Sequence, residues 1–220
     1  GWLVPVPEGL DGRKAMTIGT AGLTAMLCVM TLEEAGVSPG SGKVLVTGAA
    51  GGVGSVAVLL LSRLGYEVTA QSGRPETRDF LSGLGASDFV SRDEMNEPCR
   101  PLETQRWAGA VDVTGGAILA RVLAEMNYGG AVAACGLAAS FKLETTVMPF
   151  ILRNVSLRGV DSVYCPIERR TEAWRRLAKE LPDSAFDEIG TVIGLGEVPR
   201  AAGDIIAGKI KGRTLVDPNL

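Results

Sequence analysis

Apolar and polar positions along the chain follow two alternating rhythms. Short β-branched runs, apolar at nearly every position, are separated by longer stretches in which apolar residues return every three or four positions. The first rhythm predicts strands at 43–47, 67–71, 87–90, 110–113, 130–135 and 155–161. The second predicts helices at 18–34, 53–64, 75–83, 117–126 and 146–152, with a weaker stretch near 100–107. Asp11 is placed to cap the first helical stretch, and Gly36 and Pro39 stop it. Val56, Leu59, Leu60 and Leu64 share one helix face, and Gly65 ends that helix. Six strands separated by helices predict an α/β chain with a doubly wound parallel sheet, a Rossmann fold, because parallel neighbours need crossover connections. A charged helix at 167–181, a short strand near 189–193, a helix at 198–207 and a last strand at 213–216 follow as a C-terminal extension.

One junction between the two rhythms carries chemistry. Val44-Leu45-Val46-Thr47-Gly48-Ala49-Ala50-Gly51-Gly52-Val53-Gly54 is a strand, a glycine-rich turn and the start of a helix. Glycines there let a backbone approach a pyrophosphate, and the unpaired N–H groups of a helix start favour an anion. A turn that only packs its helix closely on its strand has the same local pattern. At the end of the next strand, where an NAD-binding fold places a carboxylate against the ribose 2′-hydroxyl, stand Gln71-Ser72-Gly73-Arg74. A carboxylate would repel a 2′-phosphate, whereas the Arg74 fork and the Ser72 hydroxyl would bind one. The expected cofactor is therefore NADPH. Arg92, just past the third strand, could reach the same phosphate or could be a surface charge at a helix start. Thr114-Gly115-Gly116 and Cys135-Gly136-Leu137 follow later strands and are second-tier cofactor positions.

Composition narrows the chemistry. The 220 residues are 46% hydrophobic and 21% charged, an ordinary globular balance, and the net charge of −3 offers no basic stripe for nucleic acid. The unbroken apolar runs, such as 56–61 and 131–135, are far below a membrane span. Cys28, Cys99, Cys135 and Cys165 are scattered and the chain has no histidine, so no metal site is expected. Reduced thiols and a cytoplasmic location are expected, with Cys135 a buried, inert thiol. The missing histidine also removes the commonest general base, and no residue stands out as catalytic.

Thr47-Gly48-x-x-x-Gly52-x-Gly54 also fits the short-chain dehydrogenase turn. That family works through a Tyr-x-x-x-Lys pair, and the residues four beyond the three tyrosines are Ala70, Val132 and Glu168. The pair is absent. The fuller likeness lies elsewhere. Ala49 to Gly54, Ile18-Gly19-Thr20-Ala21-Gly22-Leu23-Thr24-Ala25-Met26, Ser72-Gly73-Arg74, Trp107-Ala108-Gly109, Met126-Asn127-Tyr128-Gly129-Gly130, Met148-Pro149-Phe150-Ile151-Leu152-Arg153-Asn154, Gly159-Val160-Asp161-Ser162-Val163 and Gly212-Arg213-Thr214-Leu215-Val216 resemble zinc-independent medium-chain dehydrogenase/reductases. Within that family the resemblance is to the quinone oxidoreductase branch of YhdH/YhfP type, which includes acrylyl-CoA reductase.

The resemblance implies cofactor contacts from Ala50, Gly51, Gly52 and Val53 to the pyrophosphate, and from Ser72, Gly73, Arg74 and Arg92 to the 2′-phosphate end. It implies Leu137, Ile151 and Ser162 on the nicotinamide side. Members also reach the cofactor from a loop near 207–208, often through Asn, and Ala207-Gly208 depart from that. An N-terminal GroES-like domain is part of the family pattern. The opening Gly1-Trp2-Leu3-Val4-Pro5-Val6-Pro7-Glu8-Gly9 reads as a linker entering a domain, although a processed terminus or tag remnant fits the same residues. The expected division is linker 1–10, NADPH-binding domain 11–165 and C-terminal extension 166–220. The expected activity is NADPH-dependent hydride transfer to an α,β-unsaturated acyl-CoA of the acrylyl-CoA type, with these residues as the cofactor-binding part and inactive alone. Quinone reduction and a non-catalytic NADPH-binding module are the alternatives. A small-molecule substrate is expected, with neither nucleic acid nor membrane as partner. The apolar edge strand at 154–163 predicts a homodimer.

Overall fold

The computed structural model describes residues 3–220, so Gly1 and Trp2 of the expected linker lie outside the described residues. Strands β1 (Val44–Val46), β2 (Val68–Ser72), β3 (Asp88–Ser91), β4 (Trp107–Asp112), β5 (Met126–Ala134) and β6 (Ser156–Gly159) form one sheet in the order β3-β2-β1-β4-β5-β6. Every ladder in it is parallel. The helices are α1 (Gly12–Glu34), α2 (Gly52–Arg63), α3 (Arg78–Gly83), α4 (Arg92–Asn96), α5 (Gly116–Ala124), α6 (Met148–Arg153), α7 (Ile167–Glu180), α8 (Asp183–Ile189) and α9 (Val198–Ile206).

Alternate strand residues feed two cores. Leu45, Ala110 and Val132 join Ile118, Leu119 and Val122 of α5 on one face. Val44, Val46, Val111, Ala131 and Ala133 join α1, α2 and α7 on the other. Strands covered on both sides can be apolar at every position, which is why their runs show no polar alternation. Strand order reverses at β1, whose neighbours β2 and β4 lead the chain in opposite directions. Ligands of such sheets sit at the carboxyl ends of the strands beside this point.

Helix α1 starts where expected, with the Asp11 carboxylate accepting the Lys14 N–H at 2.7 Å, and it kinks at Gly19 (φ 49°, ψ −157°). Threonines and glycines break its apolar pattern into short runs, so run length understates it. By length and composition α1 could cross a membrane, yet 72% of its most apolar window is buried inside the chain. It is a core helix. The helix expected near 100–107 does not form: Trp107 already begins β4, and Pro98 and Pro101 interrupt the approach. Helix α4 takes its place earlier, capped by the Ser91 hydroxyl, which accepts the Glu94 N–H at 3.1 Å. Strand β5 starts at Met126 instead of 130 because residues 127–130 are taken up by an irregularity in the β4–β5 register. The edge strand is shorter than the expected run, with Asn154 in a left-handed conformation (φ 50°) closing α6 ahead of it.

Past the sheet, α7 and the unforeseen α8 bury Ala173, Leu177, Phe186 and Ile189 in the α1 core. Strands β7 (Gly190–Gly194) and β8 (Arg213–Asp217) pair in parallel as a separate two-stranded sheet, joined through α9. This return brings β8 back to the carboxyl end of β1.

Candidate functional site

The site grows from the tip of β1. The Thr47 hydroxyl donates to Asp112 Oδ1 at 2.7 Å and accepts the Val113 N–H at 3.0 Å, locking the ends of β1 and β4 together. Asp112 is fully buried and also accepts from the Thr114 hydroxyl (2.9 Å) and the Gly115 N–H (2.8 Å). The next two amides hang from β2: Gly48 N–H donates to Gln71 Oε1 and Ala49 N–H to the Gln71 carbonyl, both at 2.9 Å. Gly48 is left-handed (φ 57°), and a Cβ there would stand 2.5 Å from Val113 Cγ2. At Gly54 a Cβ would stand 2.4 Å from the Gly48 carbonyl oxygen, so the helix can rest on the turn only with glycine in place.

Gly51 is the N-cap of α2 and supplies no side chain, and the first bond of the helix is Ser55 N–H to the Gly51 carbonyl at 2.9 Å. The N–H groups of Gly52, Val53 and Gly54 therefore have no partner within the helix and present its positive end to an adjoining cavity. That cavity has a volume of about 560 Å³.

Eight of the eleven expected cofactor residues line it: Ala50, Gly51, Gly52, Val53, Ser72, Gly73, Arg74 and Arg92. The last four also border a neighbouring cavity of about 340 Å³ between the ends of β2 and β3. Arg92 lies against Gly73, where a Cβ would stand 2.5 Å from Arg92 Nε. The glycine makes room for the guanidinium. Ser72 Oγ accepts the Arg74 N–H at 3.2 Å, and Arg74 Nη1 donates to the Gly208 carbonyl at 2.6 Å. Leu137, Ile151 and Ser162 stand outside the cavity, on the loop after β5, in α6 and beyond β6; Leu137 is 66% and Ile151 72% exposed. Of the second-tier positions, Thr114 lines the cavity. Cys135 is half-buried at its strand end, less enclosed than expected, with its thiol 3.5 Å from the Asp112 carbonyl.

Sequence reasoning missed Arg213. Its Nε donates to the Thr17 carbonyl at 3.0 Å. Its guanidinium nitrogens lie 2.8 Å from a Cβ built at Gly19 and 3.0 Å from one built at Gly52. The kink at Gly19 thus opens room for a cation directly over the start of α2. Burial lowers the pKa of this guanidinium, and among the described residues no carboxylate is within ion-pair distance of it. A half-buried cation beside the positive end of a helix is poorly placed unless an anion joins them. Residues 212–216 carry part of the family resemblance, but only the return of β8 to β1 shows that Arg213 belongs to the cleft. No group of three or more His, Cys, Asp or Glu among the described residues could hold a metal ion.

Comparison with known proteins bears on the same residues. The family model described as zinc-binding dehydrogenase matches residues 52–181. The chain is 61% identical over 218 residues to the probable acrylyl-CoA reductase AcuI of Escherichia coli, covering 99% of this chain and 67% of that protein. It is 56% identical over 219 residues to acrylyl-CoA reductase AcuI of Ruegeria pomeroyi, covering 99% and 66%. The crystal structure of the yhdH oxidoreductase from Salmonella enterica in complex with NADP superposes with a TM-score of 0.96 at 60% identity, over 98% of this chain and 66% of that one. The chain thus spans about two thirds of the length of these relatives.

Asp112 sets the height of the turn, and its replacement tests that role. Asp112→Ala leaves two hydroxyls and an amide without their acceptor and should cost about 3–5 kcal/mol in urea unfolding, against about 1–2 for Asp112→Asn, which keeps one acceptor oxygen. Equal stability of all three chains would show that the carboxylate is not what ties β1 to β4.

Proposed function

The chain belongs to the medium-chain dehydrogenase/reductase family, in the YhdH/YhfP-type branch, and from that premise we propose that it binds NADPH for the reduction of an α,β-unsaturated acyl-CoA of the acrylyl-CoA type. The observation that carries the reading is the convergence of the uncapped start of α2 with Arg213, Arg74 and Arg92 on one cleft. The first two suit a pyrophosphate and the last two a 2′-phosphate. The crowding at Gly48, Gly54 and Gly73 supports it, since each is a place where a Cβ would displace the turn or a cation. NADPH, when bound, supplies the hydride. The chain's own part is to fix the dinucleotide: backbone N–H groups of Gly52 and Val53 and the Arg213 guanidinium at the pyrophosphate, and the Arg74 and Arg92 guanidinium groups with the Ser72 hydroxyl at the 2′-phosphate. Leu137, Ile151 and Ser162 are assigned to the nicotinamide side.

The relatives' names support the substrate class, and the names of both AcuI proteins specify acrylyl-CoA. The residues present do not fit the metal in the matching family's description, because the chain has no histidine and no group of three or more Cys, Asp or Glu among the described residues could hold a metal ion. Those four cysteines are unpaired, which suits a cytoplasmic protein. Strand β6 lies at the edge of the sheet, with Val155 buried just ahead of it and Leu157 half-buried within it, and no proline falls within it. An open ladder of this kind suits pairing with the same strand of a second copy.

Three measurements test these assignments. NADPH should bind more tightly than NADH by about ten- to a hundredfold, and Arg74→Ala should remove most of the difference, because a charge-assisted contact is worth about 1.5–3 kcal/mol. Equal dissociation constants for the two nucleotides would overturn the 2′-phosphate assignment. The intact gene product should oxidise NADPH when acrylyl-CoA is added, and oxidation that follows a simple quinone but not acrylyl-CoA would transfer the reading to quinone reduction. In sedimentation the chain should run as a dimer at tens of micromolar, with Leu157→Pro shifting it to monomer while NADPH still binds; a monomeric unmodified chain would remove the edge-strand pairing.

A further inference from the structure

Helix α9 buries none of its residues, yet the segment that follows it runs across the mouth of the cleft. At its start Gly208, left-handed at φ 69°, closes the helix through its N–H to the Ile205 carbonyl at 3.0 Å, and the Lys209 N–H follows to Asp204 at 2.9 Å. At its far end the Gly212 N–H donates to the Ala50 carbonyl of the glycine turn at 3.0 Å. Between these points Gly208 and Ile210 line the cavity. Two side chains from the body of the sheet domain meet the segment. Arg74 Nη1 holds the Gly208 carbonyl at 2.6 Å, and the Phe80 ring of α3 lies 4.9 Å from the Lys211 ammonium. The segment thus spans the cleft from the glycine turn to the arginine at the end of β2.

We infer that residues 207–212 form a strap whose closure over the cleft is reinforced by the 2′-phosphate acting through Arg74. The inference rests on the NADPH reading above. A guanidinium has five N–H donors in a fixed fork, and Gly208 uses one of them, leaving the others for a phosphate. Without a phosphate, Arg74 is a long side chain that must give up rotamer freedom to hold one carbonyl. With a phosphate on its free donors that freedom is already lost, and holding Gly208 costs less. Phosphate binding and strap closure therefore favour one another, and the coupling is reciprocal. The departure at 207–208 fits this device, because Gly208 offers a backbone carbonyl to the protein's own arginine and has no side chain to direct at a ligand. NADH, which has no 2′-phosphate, occupies the same cleft without strengthening the Arg74–Gly208 latch.

A lysine-specific protease reads the strap directly, since it cuts after Lys209 and Lys211 and is indifferent to changes at Arg74. In the ligand-free chain, Arg74→Ala should speed the cut at Lys209 about three- to tenfold while the cut at Lys179 keeps its rate. In the unmodified chain, saturating NADPH should slow the Lys209 cut about tenfold more than saturating NADH does. Binding of each nucleotide is measured in parallel by equilibrium dialysis. Failure of NADPH to bind would overturn the cofactor reading, and the ligand-free comparison would still report on the Arg74 latch. Tight NADPH binding with equal cleavage under both nucleotides, or an unchanged Lys209 rate in ligand-free Arg74→Ala, would overturn the strap.

Discussion

Asp112 carries a carboxylate at the end of β4 with no exposure to water, and what surrounds it is a set of neutral donors: two threonine hydroxyls and an amide. The other fully satisfied buried carboxylate, Glu125, is held differently, by the Arg121 guanidinium and the Trp107 indole N–H, each at 2.9 Å. Glu125 anchors the far ends of the strands with an ordinary ion pair. Asp112 works at the end where a ligand would sit, and its bonds run to Thr47 on one side and Thr114-Gly115 on the other. A buried charge tolerates little movement of its donors, because each lost bond leaves it desolvated and unpaired. The tips of β1 and β4 are therefore fixed relative to each other at the place where strand order reverses. The glycine turn, the start of α2 and everything they present to the cleft inherit that position.

Cations complete the cleft, and what sets them apart from the other arginines is that they converge on one cavity. In a chain of net charge −3, Arg13, Arg106, Arg121, Arg169 and Arg176 each pair with a carboxylate. Among the described residues Arg74, Arg92 and Arg213 have no such pair, and neither do Arg63, Arg78, Arg153, Arg158 and Arg170, but of all these arginines only the first three line the cleft. Arg74 reaches a carbonyl, Arg213 another, and Arg92 lies against the Gly73 backbone. Three like charges around the positive end of a helix raise the potential of the cleft together, and its low-dielectric walls focus the field. Such an arrangement is costly for folding and favourable only for an anion of matching length, which a dinucleotide with phosphates at two separated points provides.

Much of this was legible because it is local. Strand, glycine turn and helix are consecutive, so Gly48 to Gly54 could be read from the switch between apolar rhythms, and Ser72 to Arg74 from the end of the following strand. The parallel, doubly wound character of the sheet followed from the alternation of elements, and the order of its strands is read from the structure. What escaped depended on residues distant in the chain or on competing local chemistry. Arg213 enters the site only because β8 returns past α1, and the kink that admits it is at Gly19. The stretch at 100–107 has helical spacing, but Pro98 and Pro101 disfavour a helix start there, while Ser91 offered a cap that the apolar pattern alone does not weigh. The strand expected from 130 begins at Met126, because Gly129 and Gly130 sit inside β5, where the register with β4 slips.

Leu137, Ile151 and Ser162 pose a different problem, because the family resemblance groups them and the cleft does not. The proposed phosphate half of the site consists of backbone amides and guanidinium groups, which can stand in water and still attract an anion. The nicotinamide half has the opposite requirement: a hydride donor needs surroundings from which water is excluded. Leu137 and Ile151 are both largely exposed, as are Phe141 and Val163 nearby in sequence, so these side chains line no dry pocket in the chain as described. Exposed apolar side chains in such number are costly to leave hydrated. The two halves of the site thus depend on different forces, electrostatic for the phosphates and desolvation for the ring. The groups for the first converge within one sheet and its return strand, and the proposed nicotinamide side would require that the surface carrying Leu137 and Ile151 be covered.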